Sequence, residues 1–402
     1  MQKVLVTGLG LTCSLGRGKQ PIWTRMLNAE SSFSPCTLPE FESFPESPVA
    51  QIPDPCLADS AFERLTRHEV IGLTAVDEAL AEAGWRESGL PADEVGVFAG
   101  VGAAGMLEAE QWYRKARCNG DFSGAWESLR GYPASSLADT VAERTGFASV
   151  RSSVATACSS GSAALGLAAQ AIRRGRCKAA LVVGSEALNL LTMAGFASLK
   201  SIDPQRCRPF DRDRKGIVLG EGAGALFLEG ETTAQERGAT VWGCLAGWGW
   251  AADCHHMSAP HPEGRGAVRA IRQALESSGL PPERVGYVNM HGTGTRLNDA
   301  AETKAMKTVF GEYADRMLFS STKSMTGHCL GAAGAVESVL TLMALKHGMI
   351  PPTANLEHPD PECDLDYAPG TARSAPDLTC AVNNVMAFGG NVVALAFTPH
   401  ES

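Results

Sequence analysis

Ser88-Gly89-Leu90-Pro91-Ala92-Asp93-Glu94-Val95-Gly96 returns later in the chain as Ser278-Gly279-Leu280-Pro281-Pro282-Glu283-Arg284-Val285-Gly286. Each copy follows a helix-like segment, residues 77–83 and 271–277. Each leads into a short apolar strand, residues 95–99 and 287–290. Other echoes keep the same order. Gly8-Leu9-Gly10 is read as the end of an opening strand over 3–7, and Gly247-Trp248-Gly249 ends a similar apolar stretch from Val241. A small-residue helix over 161–175 resembles 334–348. The alternating strand 223–229 resembles 392–397, and both follow glycine pairs. One echo is within reach of chance, whereas several in one order point to two copies of a single α/β unit. The copies are placed at 1–239 and 240–402. Strands alternate with helices throughout, which favours sheets covered by helices. Residues 30–59, rich in Pro and Ser, read as loop, and 108–136 as an insertion between core elements.

Composition narrows the function classes. The 402 residues carry a net charge of −9 and 20% charged side chains, with no basic stripe of the kind that binds nucleic acid. No apolar run has the length of a membrane span, and the start of the chain has no secretory pattern. The twelve cysteines are scattered without a C-x-x-C pair. Reduced thiols in a cytoplasm are the simplest expectation. Cys254-His255-His256 lacks a spaced partner and is read as a loop without metal.

One cysteine stands apart. In Val154-Ala155-Thr156-Ala157-Cys158-Ser159-Ser160-Gly161 an apolar approach turns at small residues into the first small-residue helix. A thiol there sits at the positive end of a helix dipole, which favours the thiolate. Backbone N–H groups at such a turn can hold an oxyanion. The alternative is a small buried core residue, the commonest fate of a free cysteine. Three further segments bear on the choice. His291-Gly292-Thr293-Gly294-Thr295 follows the second copy's strand, where α/β folds place ligands. Lys323 to His328 precede the helix that echoes the Cys158 helix, and Phe388-Gly389-Gly390-Asn391 precedes the last strand. If a pseudo-twofold relates the halves, Cys158, His291, Lys323 and His328 converge on one crevice.

These motifs, in this order, resemble the elongating β-ketoacyl-acyl-carrier-protein synthases of the thiolase superfamily. The resemblance covers the whole chain and includes Arg208-Pro-Phe-Asp211 and Gly220-Glu-Gly-Ala-Gly224. It implies a thiolase-like, five-layered αβαβα fold built from two duplicated halves. It implies that Cys158 carries the acyl group as a thioester, and that Cys158 and Phe388 N–H groups form an oxyanion hole. It implies that His291 and His328 stabilise the enolate formed as malonyl-carrier protein loses carbon dioxide. Lys323, paired with Glu337, supports the charge balance. Thr293 and Thr295 contact the phosphopantetheine arm, and Phe388 gates the acyl chain. No metal or other cofactor is implied, since substrates travel on the phosphopantetheine of an acyl carrier protein. The partner subunit is a second copy or a related chain.

Subclass follows from the residue set. Chain-initiating relatives carry His and Asn, degradative thiolases use a second cysteine, and chain-length factors lose the nucleophile. This chain has Cys158 with two histidines, so an active condensing subunit is expected. The alternatives are a non-elongating acyltransferase and a chain-length-setting partner subunit. Two departures bear on the pathway, fatty acid or specialised polyketide-like product. Ala387 stands before Phe388 where many relatives have glycine. Ala103 stands where fatty-acid elongators carry a bulkier acyl-pocket residue. Arg64, Arg67, Arg206 and Arg208 are candidates for docking an acidic carrier protein.

Overall fold

The computed structural model describes residues 2–44, 46–57 and 65–400. Ten strands of one long sheet carry the fold. They are β1 (Val4–Cys13), β2 (Val95–Gly100), β3 (Arg151–Val154), β4 (Ala179–Glu186), β5 (Gly222–Gly230), β6 (Gly243–Ala252), β7 (Tyr287–Asn289), β8 (Leu318–Ser320), β9 (Ala381–Met386) and β10 (Asn391–Thr398). Eight of the helices among the described residues set the layers around them. They are α1 (Arg67–Glu82), α2 (Met106–Asn119), α3 (Ser136–Thr145), α4 (Ser160–Arg173), α5 (Leu190–Ser198), α6 (Arg265–Ser278), α7 (Arg296–Phe310) and α8 (Ala333–His347).

The strand order is β8-β7-β9-β10-β6-β1-β5-β4-β2-β3. Outward from β1 the neighbours pair antiparallel, antiparallel, parallel, parallel, and outward from β6 the same series repeats. The halves meet where β1 and β6 pair antiparallel over two residues, Leu5 with Cys244 and Val6 with Gly243. That short seam lets the sheet fold back on itself. Helices α4 and α8 pack against strands of both halves, and so form the middle layer. Helix α1 covers β1, β5 and β4 from outside, with α3 beside it over β2 and β3. Helix α6 covers β6, β10 and β9, with α7 against it. The result is the five-layered αβαβα arrangement.

Burial explains the composition of these elements. Every residue of β1, β4 and β5 is buried, as expected for strands covered on both faces. Helix α8 is buried from Ala333 to Leu345, as a middle-layer helix must be.

The Gly-x-Gly pairs do not end their strands as the sequence reading had it. β1 runs on to Cys13 and β6 to Ala252. A Cβ on Gly8 or Gly10 would lie 2.2 Å from Ala79 O or 1.8 Å from Ala75 O of α1. The equivalents at Gly247 and Gly249 would lie 2.2 Å from Ala274 O and 2.0 Å from Ala270 O of α6. The glycines are therefore contact points where an outer helix rests on strand backbone. The 108–136 stretch contains most of α2 besides loop. Among the described residues no helix is long and apolar enough to cross a membrane.

Candidate active site

The two middle helices begin in mirrored turns. Ala157 and Leu330 both adopt left-handed backbone, φ 52° and φ 44°. A Cβ on Gly161 would lie 2.7 Å from Ala335 N, and one on Gly334 would lie 2.6 Å from Ser162 N. Only glycine lets the two helix starts cross so closely. Strain at Ala157, of order 1–3 kcal/mol for such backbone, is held by the surrounding turn. The Ser160 hydroxyl donates to Ala157 O at 2.6 Å and accepts from Thr156 N–H at 2.9 Å. The turn aims Cys158, 5% exposed, at the crossing.

Three side chains meet there. Ligand atoms of Cys158, His291 and His328 lie within 4.8 Å of one another, all buried. The imidazole centroids are 5.2 Å apart and nearly perpendicular. His291 is held through its backbone by α7. Its N–H donates to Glu302 Oε1 at 2.8 Å, and Gly292 N–H donates to Oε2 at 2.9 Å. Asp299 takes Thr293 N–H at 3.1 Å and Gly294 N–H at 3.3 Å. His328 is held by its backbone N–H on Val218 O at 2.7 Å, and by its ring, where Nδ1 accepts Leu330 N–H at 3.2 Å.

The electrostatics favour neutral imidazoles. Burial pushes both histidines well below the usual imidazole range, and the Lys323 ammonium adds to it. Lys323 is itself buried and pairs with Glu337. Burial raises the Glu337 carboxyl to about 7 against the pull of Lys323. The expected thiolate is not what the site gives to free Cys158. Burial pushes the thiol up to about 12, while Lys323 and a backbone N–H from Phe388 pull it down. Loss of water at the buried sulfur outweighs the helix dipole.

Cysteine and two histidines this close resemble a metal triad. The donor set does not fit one. Because Nδ1 of His328 accepts a backbone N–H, its proton sits on Nε2, whereas a ligating histidine donates from its second nitrogen. The Lys323 ammonium, which lowers both histidines, is also a poor neighbour for a dication. The arrangement is suited to donating hydrogen bonds to a developing oxyanion.

A cavity of about 540 Å³ opens over these groups and is lined among others by Cys158, His291, His328, Thr293, Thr295 and Phe388. The hydroxyls of Thr293 and Thr295 lie 2.9 Å apart. Phe388, 37% exposed, packs against Phe196 with centroids 5.2 Å apart.

The remaining candidates lie elsewhere. Ala103 does not line this cavity. Its N–H donates at 2.8 Å to buried Glu186, which also takes Gly102 N–H at 2.7 Å and Gly331 N–H at 3.0 Å. Arg64 falls outside the described residues. Arg67 is occupied, with Nε and Nη2 on Glu221 at 2.9 and 2.6 Å and Nη1 on Asp54 at 3.1 Å. Arg208 binds Asp203 at 3.3 Å and Gln205 at 3.0 Å, and Arg206 pairs with Glu357 at 2.9 Å. Arg67 and Arg208 are thus tied to the buried carboxylates of Glu221 and Asp203 and brace the fold.

Sequence reasoning missed Glu302, Asp299 and Glu186. Asp299 and Glu302 stand three apart just after Thr295, so they share one helix face beneath the His291 loop. That spacing was a usable signal. Glu186 had none, because its three partners come from distant segments.

The family model for the beta-ketoacyl synthase N-terminal domain matches residues 1–234, and that for the C-terminal domain matches 242–357. All of this chain aligns at 38% identity with 99% of the 3-oxoacyl-[acyl-carrier-protein] synthase 2 of Synechocystis sp. (strain ATCC 27184 / PCC 6803 / Kazusa). Nodulation protein E of Rhizobium sp. (strain N33) is 37% identical over 98% of this chain and 99% of its own length. Among solved structures, the ishigamide ketosynthase/chain length factor superposes over the whole of both chains with TM-score 0.93 and 30% identity. The paired turns at Cys158 and His328 thus sit in a chain that belongs to the beta-ketoacyl synthase family.

Proposed function

We propose that this chain is a 3-oxoacyl-[acyl-carrier-protein] synthase that extends an acyl chain by two carbons with loss of carbon dioxide. The observation that carries the reading is the junction of three groups. They are the Cys158 sulfur under the Phe388 N–H, two buried neutral imidazoles, and a His328 tautomer with Nε2–H free to donate.

The Cys158 sulfur attacks the carbonyl of an acyl-carrier thioester, its proton leaves with the carrier thiol, and the acyl group stays on Cys158. N–H groups of Cys158 and Phe388 hold the tetrahedral oxyanion. The freed carrier departs and malonyl-carrier protein enters. His291 and His328 donate to its thioester oxygen, where charge develops only as the carboxylate breaks away as carbon dioxide. The enolate carbon attacks the acyl-Cys158 carbonyl. A carbon–carbon bond forms, the carbon–sulfur bond to Cys158 breaks, the sulfur takes up one proton from solvent to restore the thiol, and 3-oxoacyl-carrier protein leaves. The Lys323–Glu337 pair keeps a cation near both imidazoles, so that they stay neutral. Thr293 and Thr295 line the passage of the arm, and Phe388, seated on Phe196, closes the acyl side.

A second subunit, identical or related, covers the apolar groove between α2 and α5, which is lined by Trp112, Tyr113, Tyr132, Leu190 and Leu191. One structural relative is a ketosynthase/chain length factor, which supports a paired assembly. The halves 1–239 and 240–402 act as nucleophile-bearing and imidazole-bearing units. The twelve cysteines, none in a disulfide, suit a reducing cytoplasm.

The test is intact-mass analysis of wild type and Cys158→Ala after exposure to acyl-carrier proteins of graded length, then malonyl-carrier protein. Acylation of wild type only, followed by loss of that mass and a 3-oxoacyl product two carbons longer, is expected. Acylation without carbon dioxide release would replace this reading with a plain acyltransferase.

A further inference from the structure

Glu186, the last residue of β4, is fully buried and has no cationic partner among the described residues. Backbone N–H groups meet it instead. Oε2 takes Gly102 N–H at 2.7 Å and Gly331 N–H at 3.0 Å, and Oε1 takes Ala103 N–H at 2.8 Å. The first segment is the turn between β2 and α2, where Ala104 adopts left-handed backbone at φ 49°. Such a turn aims successive N–H groups into one hollow, and a carboxylate fits it. The second segment is the turn that leads into α8. The two turns touch through backbone. A Cβ on Gly331 would lie 2.2 Å from Gly102 N, and one on Gly102 would lie 2.4 Å from Glu186 Oε2.

The second turn is the one that sets the His328 ring. Leu330 N–H donates to Nδ1 of His328 at 3.2 Å, and the next N–H along the chain, that of Gly331, goes to Glu186. Consecutive N–H groups are thus divided between the imidazole and the carboxylate. Leu330 stands between them at φ 44°, a conformation that persists only where its neighbours are anchored. An ionised carboxylate accepts on both oxygens and donates nothing, so it satisfies a junction at which every facing group is a donor. Burial raises the Glu186 carboxyl, and the N–H groups of Ala103, Gly102, Gly331 and Ala104 draw it back down. Glu186 also lies close enough to the nucleophile for its charge to oppose ionisation of the Cys158 thiol.

We propose that Glu186 is a positioning residue for the His328 ring: by holding Gly331 N–H against the turn between β2 and α2, it keeps Leu330 N–H on Nδ1 and the ring proton on Nε2, facing the cavity. Glu186 acts through His328 and not on the substrate. Its effect therefore falls on the step that needs the His328 donor, loss of carbon dioxide, and spares acyl transfer to Cys158. That assignment of steps rests on the condensing chemistry of the proposed function.

The experiment compares wild type with Glu186→Gln, in which one acceptor oxygen becomes an amide that faces N–H groups. It reads the rate of Cys158 acylation by an acyl-carrier protein, the rate of carbon dioxide release from malonyl-carrier protein, and the nitrogen NMR signals of the His328 ring, assigned by their loss in His328→Gln. Carbon dioxide release is expected to fall about 10-fold relative to acylation, the scale of one hydrogen bond to a charged group. Acylation itself is expected to be unchanged or faster, because a charge that opposes thiol ionisation is gone. The ring signals are expected to move from a single Nε2–H tautomer to a mixture. If Glu186→Gln does not fold, Glu186→Asp draws the oxygens back by one methylene and is read by the same ratio and the same signals. Equal slowing of both steps with the ring signals unmoved makes Glu186 a brace of the fold and overturns the proposal. Wild type that shows the Nε2–H tautomer, lost in the variant, yet releases no carbon dioxide overturns the condensing function and leaves the positioning of the ring standing.

Discussion

Leu330 N–H donates to Nδ1 of His328 at 3.2 Å, and that bond places the ring proton on Nε2, facing the cavity. The donor exists because Leu330 turns with φ 44°, the counterpart of the φ 52° turn at Ala157. A duplicated backbone turn thus presents the Cys158 thiol in one half and orients the His328 ring in the other.

The first prediction concerns that donor. His328→Ala should reduce carbon dioxide release from malonyl-carrier protein by about 10²–10³-fold, the usual cost of one oxyanion donor. The comparison is with the rate of Cys158 acylation, which should fall less. Equal losses in both steps would mean that His328 serves the fold rather than the enolate.

A second prediction concerns pH. His291 and His328 are held well below 6.5, so both stay neutral through pH 6.5 and decarboxylation should show no acid limb there. Stability carries the matching sign. The unfolded chain takes up protons at these positions below pH 6.5 and the folded chain does not. Their contribution is full above 6.5 and declines as pH falls below it. Urea melts of wild type and of the His291→Gln/His328→Gln variant between pH 5 and 8 would show the slope in wild type and a flatter profile in the variant.

Lys323 and Glu337 supply a third. Among the described residues Glu337 Oε2 finds no partner, so its other oxygen and Lys323 compensate one another. Glu337→Ala leaves a buried ammonium unpaired and should destabilise the fold by about 3–5 kcal/mol. Lys323→Met/Glu337→Leu should cost far less stability while abolishing condensation. Denaturant midpoints of the three proteins read the difference.

The Gly-x-Gly contacts give a fourth. Gly10→Ala would drive a Cβ to 1.8 Å from Ala75 O, and Gly249→Ala to 2.0 Å from Ala270 O. Each should destabilise by about 1–3 kcal/mol or more through the outer helix. Thermal melts should show comparable shifts for the two, since the contacts are equivalent.

Much of this site was legible because its parts are local. Cys158 is marked by the small residues that a helix crossing demands, and His291 by the Gly/Thr loop after a strand. The echo between 161–175 and 334–348 brought His328 into the same crevice. Other parts were hidden because they depend on contact at a distance. Arg67 looked like a surface cation until Glu221, far along the chain, was seen beneath it.

Chain order, the twofold repetition and the identity of the chemical groups were determined by the sequence itself, because periodicity and turn residues act over a few positions. Tertiary structure alone decided protonation and access. Burial raised the Cys158 thiol and kept both imidazoles neutral, a backbone N–H chose the His328 tautomer, and carboxylates from remote segments sorted the arginines into clamps. Those outcomes depend on how much water each group loses and which dipoles replace it, and both are properties of the packed chain.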